Sequence, residues 1–116
     1  MSADVLARWL AALADPTRAG DALADDVRIE RFAPMARGTS ALAPEEAFVG
    51  LVAAIAWLRR TPSNVGFALA GEPVAIGDRL EVEYVYRTPD FENGGTWIVR
   101  IVDDKIAMLQ HRPYQI

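Results

Sequence analysis

The sequence is 116 residues long, with 52% hydrophobic and 24% charged residues, close to the average for globular proteins. This composition excludes a disordered, collagen-like or low-complexity chain, and the length predicts a single domain over residues 1–116. The net charge is −4 and the sequence has no basic cluster, so we expect no nucleic-acid partner.

The residue types also limit the chemistry. The sequence has no cysteine and a single histidine, His111, which excludes a disulfide framework and the usual nitrogen and sulfur ligands of zinc. We therefore predict no metal and no cofactor. No apolar run approaches the roughly 18 residues of a membrane span, and no secretory signal pattern is visible, so we expect a cytoplasmic protein without a membrane partner.

The N-terminal third predicts a helix followed by a strand. Residues 3–14 place one apolar stripe on a helical face: Val5, Leu6, Trp9, Leu10 and Leu13. The pair Asp15–Pro16 ends this helix, because the residue before proline avoids the helical region. A polar segment through Asp21 predicts one more helical turn. Residues 27–32 then alternate as a strand does, with Val27, Ile29 and Arg31 on one side.

A second, long helix is predicted after a loop over residues 33–43. Pro44 suits the first helical position, and Glu45 and Glu46 favour the positive end of the helix dipole. We predict that this helix continues to about Arg60. Its main buried stripe is predicted to contain Phe48, Leu51, Val52, Ile55 and Leu58. An opposite stripe needs a cover from a partner subunit or from the rest of the fold: Val49, Ala53 and Trp57.

From residue 64 onwards the apolar pattern has a period of two, which indicates strands. A strand over residues 64–76 is interrupted at Gly71–Pro73, because proline cannot sit in a continuous ladder. Gly77–Asp78 predicts a two-residue hairpin turn with glycine first. The clearest strand covers residues 79–88.

A last hairpin is predicted at the C-terminal end. The pair Asn93–Gly94 predicts a turn within a loop over residues 89–95. Strands over residues 96–102 and 105–112 then pair across Asp103–Asp104. The result is an α+β protein with an antiparallel meander covered by helices.

Extending the alternation gives this sheet two different faces. The helices must cover an apolar, aromatic face: Leu80, Val82, Tyr84, Tyr86, Trp97, Val99, Ile101, Ala107, Leu109 and His111. The opposite face mixes charges with apolar residues: Glu81, Glu83, Val85, Arg87, Ile98, Arg100, Ile106, Met108, Gln110 and Arg112. We expect glutamates to pair with arginines across strands there, on a face that is either wet or a subunit interface.

Three segments resemble the SnoaL-like proteins of the nuclear-transport-factor-2-like (NTF2-like) superfamily: RWLAAL over 8–13, ADDVRIE over 24–30 and WIVRIVDDKI over 97–106. The order of the elements also agrees over nearly the whole chain. The resemblance implies an α+β cone, in which a curved antiparallel sheet wraps around a long helix and the N-terminal helix covers the open side. A deep pocket is expected at the open end. The superfamily includes isomerases, cyclases, epoxide hydrolases, dehydratases and pocket proteins without a known reaction.

The resemblance does not extend to the residues of ketosteroid isomerase, the best-understood enzyme of this superfamily. That enzyme removes a proton beside a carbonyl with a carboxylate base and stabilises the enolate with buried donors. Aligned through residues 24–26, its base position is Arg31, its first-helix tyrosine is Trp9, and its buried acid lies near Trp97. Because a guanidinium stays protonated and an indole has a single N–H, this mechanism is not implied here.

Six residues are predicted to line the pocket and bind a ligand: Trp9, Arg31, Tyr84, Tyr86, Trp97 and His111. His111 is the best catalytic candidate because imidazole titrates near neutral pH, although a lone histidine before Arg112 and Pro113 is also typical of a structural residue. Arg31 offers a fork of donors to a carboxylate or phosphate; the alternative is a salt bridge to the neighbours of Glu30, or to Asp25 and Asp26 at the start of its strand.

The remaining candidates have simpler interpretations. Tyr84 and Tyr86 either bind a ligand or pack in the core with their hydroxyls at its rim. Trp9, Trp97 and three further aromatic residues are mostly expected in the core: Phe32, Trp57 and Phe67. The carboxylate pairs Asp25–Asp26 and Asp103–Asp104 are predicted to lie in turns. Glu30 would face the pocket only if its strand were shifted by one residue.

Two functions of different classes follow from these observations. The first is a pocket protein that binds a small hydrophobic metabolite with one polar end, with isomerase, cyclase or hydrolase activity open. The second is a non-catalytic homodimeric module that buries the mixed sheet face and the stripe of Val49, Ala53 and Trp57. We expect a homodimer under either hypothesis.

Overall fold

Helices at the N-terminus precede a seven-stranded sheet in a computed structural model that describes residues 2–36, 38–39, 42–62 and 64–115. The elements in chain order are α1 (Ser2–Ala14), a 3-10 turn (Pro16–Arg18), α2 (Ala19–Ala22), β1 (Leu23–Arg31), β2 (Glu46–Val49), α3 (Leu51–Leu58), β3 (Gly66–Leu69), β4 (Val74–Ile76), β5 (Arg79–Arg87), β6 (Glu92–Val102) and β7 (Lys105–Pro113). The predicted α+β class is confirmed.

The sheet is curved and open, with strand order β2-β1-β7-β6-β5-β3 and with β4 also paired to β5. β1 lies parallel to β7, whereas the other pairs are antiparallel. The predicted antiparallel meander is confirmed, and the parallel pairing of β1 with β7 adds a neighbour that the sequence did not indicate. Parallel neighbours need a long connection, and residues 32–104 supply it.

The predicted long helix over residues 44–60 is wrong in its first part. Residues 46–49 form β2, which pairs with β1 and places Glu46 directly opposite Arg31. Gly50 has a φ of 91°, which favours glycine, and it turns the chain into the eight residues of α3. The local preference for a helix start at Pro44 is overridden, because pairing with β1 supplies ladder hydrogen bonds and an ion pair between Arg31 and Glu46.

The later start of α3 changes which of its faces is buried. Ala54 and Leu58 pack in the core, but Val52, predicted to be buried, is 85% exposed. Trp57 stacks on Phe48, with ring centroids 5.8 Å apart, so the rest of the fold covers it. Val49 lies in β2, so the prediction that it shares one helical stripe with Ala53 and Trp57 is wrong.

The first helix agrees with its prediction. Val5, Leu6 and Trp9 of α1 are fully buried against the inner face of the sheet. The ring of Trp9 meets that of Trp97 on β6 edge to face, with centroids 5.7 Å apart. No described helix has the length and hydropathy needed to cross a membrane. Of the predicted loop over residues 33–43, the structure describes residues 33–36, 38–39 and 42–43, none of them within a helix or named strand.

The turns of the strands are largely as predicted. The interruption at residues 70–73 separates β3 from β4, and the hairpin at Gly77 has a φ of 62°. Asp103 and Asp104 both have positive φ, 51° and 64°, as a type I′ hairpin turn requires. Asp25 and Asp26 are an exception, because they are exposed residues within β1, where its register with β7 shifts.

The Asn93–Gly94 pair lies inside β6 and is not a turn. The turn falls at residues 88–91, where the Thr88 amide donates to the Phe91 carbonyl at 2.9 Å. The two glycines are needed for packing: a Cβ added to Gly95 would lie 2.5 Å from the Arg112 carbonyl oxygen and 2.6 Å from the Tyr84 hydroxyl. The glycine pair therefore allows β5 and β7 to lie close to β6, and it does not reverse the direction of the chain.

A bulge in β7 corrects one detail of the predicted faces. Arg100 pairs with Met108 but Ile101 pairs with Ile106, which leaves Ala107 as an extra residue. Ile106 is consequently fully buried on the inner face, where Ala107 was predicted. The alternation of the other inner residues is confirmed, and the bulge brings His111 opposite Trp97.

Candidate functional site

A pocket of about 310 Å³ opens on the inner face of the sheet, and we call it the inner pocket. Its walls are mainly apolar: Leu13, Trp57, Leu58, Pro62, Val65, Phe67 and Pro113. Five polar residues complete the lining: Arg31, Arg60, Thr61, Tyr86 and His111. Among the described residues, no aspartate or glutamate lines this pocket.

The six predicted site residues divide into two layers. Arg31, Tyr86 and His111 line the inner pocket. The other three form a layer in the core next to His111, which we call the floor, and each is at most 1% exposed: Trp9, Tyr84 and Trp97. The sequence therefore identified a real cluster, but half of its members do not line the pocket.

His111 is held by Trp97 from the adjacent strand. The indole Nε1 of Trp97 donates a hydrogen bond to Nδ1 of His111 at 3.0 Å, across a directly opposed pair of β6 and β7. The other ring nitrogen, Nε2, lies 3.5 Å from the Tyr84 hydroxyl. Trp57 of α3 packs edge-on against the imidazole, with ring centroids 5.3 Å apart.

Tyr84 reaches His111 by crossing over Gly95 of β6. Its ring stacks on Trp97 with centroids 4.1 Å apart and planes 12° apart, and it also lies 5.5 Å from the imidazole centroid. The absence of a side chain at Gly95 makes this crossing possible. Burial raises the pKa of the Tyr84 phenol far above its usual value, so Tyr84 is a neutral hydroxyl at physiological pH.

His111 is also neutral at physiological pH. Burial, reinforced by the positive charge of Arg31, lowers the pKa of His111 from 6.5 to about 4. Both causes disfavour the imidazolium form, because a charged ring would lose hydration and would face a guanidinium. The floor is thus made of uncharged aromatic groups joined by directional contacts.

The rim of the inner pocket is an ion-pair network, made of Arg31, Glu45, Glu46 and Arg60. Arg31 donates through Nε to Glu46 at 2.8 Å and through Nη2 to Glu45 at 2.9 Å. Arg60 contacts both oxygens of Glu46, at 3.0 and 3.2 Å. The pairing raises the pKa of Arg31, chiefly through Glu46, and the pKa of Glu46 is lowered first by Arg60 and then by Arg31.

The salt-bridge alternative for Arg31 is therefore real, but its partners are not the predicted Asp25 and Asp26. Glu45 and Glu46 take this role because β2 lies beside β1 instead of opening a helix. The two glutamates use Nε and Nη2 of Arg31, so Nη1 is the guanidinium nitrogen that no described residue engages.

Some lining residues were missed from the sequence. Trp57 and Phe67 were expected mainly in the core, and Arg60 was identified only as the end of a helix, yet all three line the inner pocket. Glu30 accepts from Gln110 at 3.1 Å and does not line the inner pocket, so the predicted strand alternation holds.

A second pocket of about 370 Å³ lies on the other face of the sheet. It is bordered by Glu81, Glu83 and Thr96 of the sheet and by the segment that follows β1. There the Arg112 guanidinium lies 3.7 Å above the Phe32 ring, a cation–π contact. We call this the outer pocket.

No family model matches the sequence, and no curated protein matches it at a significant level. Solved structures do match. An NTF2-like protein of unknown function from Mesorhizobium loti aligns with a TM-score of 0.72 and 21% identity over 97% of this chain and 90% of its own. The chain has the NTF2-like fold. The recognition made from the sequence is thereby confirmed at the level of the fold.

Two further NTF2-like neighbours carry more specific descriptions. A candidate isomerase of the SnoaL-like family from Agrobacterium tumefaciens aligns with a TM-score of 0.68 and 21% identity, over 97% of this chain and 96% of its own. A protein with a ketosteroid-isomerase-like fold from Catenulispora acidiphila, in complex with trimethylamine, aligns with a TM-score of 0.70 and 20% identity, over 96% of this chain and 84% of its own. At these identities the likeness concerns the fold alone.

Proposed function

We propose that this NTF2-like chain binds a small, largely apolar molecule with one polar end in the inner pocket. The observation that carries the proposal is the pocket itself, about 310 Å³ of mainly apolar wall with a few polar groups on one side. Small-molecule sites share this combination, because the apolar wall provides affinity and the polar groups fix orientation. The trimethylamine complex of the Catenulispora protein supports small-ligand binding by this fold.

The polar end of the ligand is proposed to meet Arg31, Tyr86 and His111. Arg31 is held in place by Glu45 and Glu46 and keeps Nη1 for a ligand. Trp57 and Phe67 provide flat apolar surface for an aromatic or alicyclic body. The ligand class is therefore a hydrophobic metabolite with one oxygen-bearing end.

A reaction in this pocket would differ from that of ketosteroid isomerase. No described aspartate or glutamate lines the inner pocket, and Glu46 is bound by two arginines, so a carboxylate base for proton abstraction is missing. Isomerase, cyclase or hydrolase chemistry would instead depend on polarising the ligand with hydrogen-bond donors. We therefore propose ligand binding first, and we propose catalysis only as a further activity of the same pocket.

Thermal shift and tryptophan fluorescence test the proposal with a panel of aromatic and polyketide-like acids and ketones. We expect hits that stabilise the chain and quench Trp57. Val65→Phe, which fills the inner pocket, should abolish them, whereas Thr39→Phe in the outer pocket should not. A panel without hits, or hits that survive Val65→Phe and are lost in Thr39→Phe, would contradict the proposal.

A second candidate function, a homodimeric module, is favoured by the charges of the outer sheet face. This face carries Glu81 and Glu83 on β5, and Arg100 and Arg112 on β6 and β7. Two copies related by a two-fold axis can place the acidic strand of each against the basic strands of the other. The proposed occupant of this face is therefore a second copy of the chain.

Sedimentation and small-angle scattering at micromolar concentration test the dimer. The Cα radius of gyration of one copy is 13.2 Å, and we expect a larger value for the wild type. Arg100→Glu should give the monomer. The same charge change at the exposed Arg59, at the end of α3, should leave the dimer intact. A monomeric wild type would contradict this candidate.

A further inference from the structure

The hydrogen position on His111 is determined by its neighbours. An indole nitrogen can only donate, so Nδ1 of His111 must accept from Trp97 across the 3.0 Å contact. A neutral imidazole has one N–H, which is then on Nε2. The imidazolium form would set two N–H groups against each other at that contact.

We propose that Trp97 fixes His111 as the Nε2–H tautomer, so that the inner pocket meets a hydrogen-bond donor at His111, not a base. Trp97 is a positioning residue in this arrangement, since it does not line the pocket and acts through the imidazole. The catalytic role considered for His111 from its ordinary titration near neutral pH is replaced by a donor role. The tautomer of His111 depends only on its hydrogen bond with Trp97.

Among the described residues, the groups around His111 include no carboxylate. Arg31 on β1 is a cation, Trp57 on α3 makes an edge-to-face ring contact, and Tyr84 and Tyr86 on β5 are hydroxyls. The nearest of these to Nε2 is the Tyr84 oxygen at 3.5 Å, which is long for a hydrogen bond. Nε2–H therefore retains most of its capacity to donate to a ligand.

The ligand class follows from this set of donors, and this step rests on the proposed function. His111 Nε2–H, Arg31 Nη1 and the Tyr86 hydroxyl all lie on lining residues. The polar end of the ligand must then accept hydrogen bonds, as a carboxylate or a ketone oxygen does. An ammonium group would place a second cation beside Arg31, and no described carboxylate lines the pocket to offset its charge.

Nitrogen NMR of the uniformly 15N-labelled full chain tests the tautomer directly. His111 is the only histidine, so the imidazole signals belong to it once the chain carries no added tag. Long-range proton–nitrogen correlations should show an unprotonated Nδ1 and a protonated Nε2 throughout pH 5.5 to 8. A mixture of tautomers, or hydrogen on Nδ1, would overturn the proposal without use of any variant.

Trp97→Phe and Trp9→Phe form a matched pair for the positioning role. Both tryptophans are fully buried, but Nε1 of Trp9 has no hydrogen-bond partner among the described residues. We expect Trp97→Phe to give mixed tautomers and to raise the pKa of His111 by about 1 or more, since Nδ1 becomes free to protonate. Trp9→Phe should leave the tautomer unchanged. Equal tautomer ratios in the two variants would overturn the assignment to Trp97.

Three matched probes test the ligand class: 2-naphthoate, 2-acetonaphthone and 2-naphthylmethylammonium. We expect the acid and the ketone to bind at least about tenfold more tightly than the amine, a difference of about 1.4 kcal/mol. Preferential binding of the amine would overturn the acceptor requirement while leaving pocket binding intact. If none of the three binds, the proposed function fails for this class, and the NMR result decides the tautomer alone.

Discussion

The floor and the rim of the inner pocket hold their polar groups in different ways. The floor and His111 join neutral rings through a part-buried hydrogen bond from Trp97 and through the stacking of Tyr84. The rim joins charged side chains, Arg31, Glu46 and Arg60, which are between about a quarter and a half exposed. Exposed ion pairs are screened by water and salt, whereas a buried donor or acceptor cannot be replaced by solvent. We expect the floor to determine stability and the rim to position Arg31.

Gly95→Ala should give the largest effect, because it breaks the floor at its closest contact. The new Cβ would lie 2.5 Å from the Arg112 carbonyl oxygen and 2.6 Å from the Tyr84 hydroxyl, so a strand or the tyrosine must move. We expect a loss of about 3 kcal/mol in the free energy of unfolding, measured with urea. Gly66→Ala on β3, where an added Cβ meets nothing within 4 Å, is the control. Equal stability of the two variants would contradict the close packing.

The second-largest effect should be a dependence of stability on pH, caused by His111. His111 has a pKa of about 4 in the folded chain and about 6.5 when unfolded, so the unfolded state binds more protons between these values. Stability should therefore fall as the pH is lowered from about 6.5 to about 4, by on the order of 2 kcal/mol. His111→Gln removes this contribution but keeps those of the carboxylates. If the two pH profiles run parallel, His111 is not buried in its neutral form.

The two tryptophans should differ by a smaller amount. Both Trp→Phe changes shrink a buried ring, but Trp97→Phe also leaves His111 Nδ1 without its donor. We expect Trp97→Phe to be about 1 kcal/mol more destabilising than Trp9→Phe by urea unfolding at pH 7.5. A larger loss for Trp9→Phe would mean that the indole bond contributes little to the floor.

Glu46→Gln at the rim should have the smallest effect on stability. The change removes the charge shared by Arg31 and Arg60 but keeps a polar group of the same size. We expect almost the same urea midpoint as the wild type, and any difference should disappear at high salt. Ligand affinity should change more than stability, because Arg31 is no longer held. A large destabilisation that does not depend on salt would show that the rim, like the floor, determines stability.

The sequence predicted the meander better than residues 44–60 for a physical reason. In the meander the period of two, read from positions such as Val82 and Val99, coincides with burial, so local pattern and tertiary packing agree. Around Glu46 they conflict, since a proline and two glutamates are typical of a helix start, while the competing β1 partner lies far back in the sequence. Gly50, which has a positive φ in the structure, is the residue of the sequence that could have signalled the break.

The sequence predicted the sheet face on which several candidate residues lie, but not how deeply each of them is buried. Alternation correctly grouped Tyr84, Tyr86 and His111 on one face, yet it could not tell a lining residue from a buried one. The facing of Trp97 and His111 depends on the Ala107 bulge. A two-residue turn at Asp103–Asp104 without a bulge would have paired Trp97 with Gln110, and Trp97 would then not lie directly opposite His111.

The place of β7 in the sheet also has a consequence for how the molecule assembles. The last strand in sequence order lies between β1 and β6, so it joins the N-terminal hairpin of β1 and β2 to the rest of the sheet. Until β7 is made and docked, the two halves share no ladder. Completion of the sheet must therefore await the synthesis of β7, and this high contact order predicts slow folding in which partly made chains expose unpaired edges to chaperones.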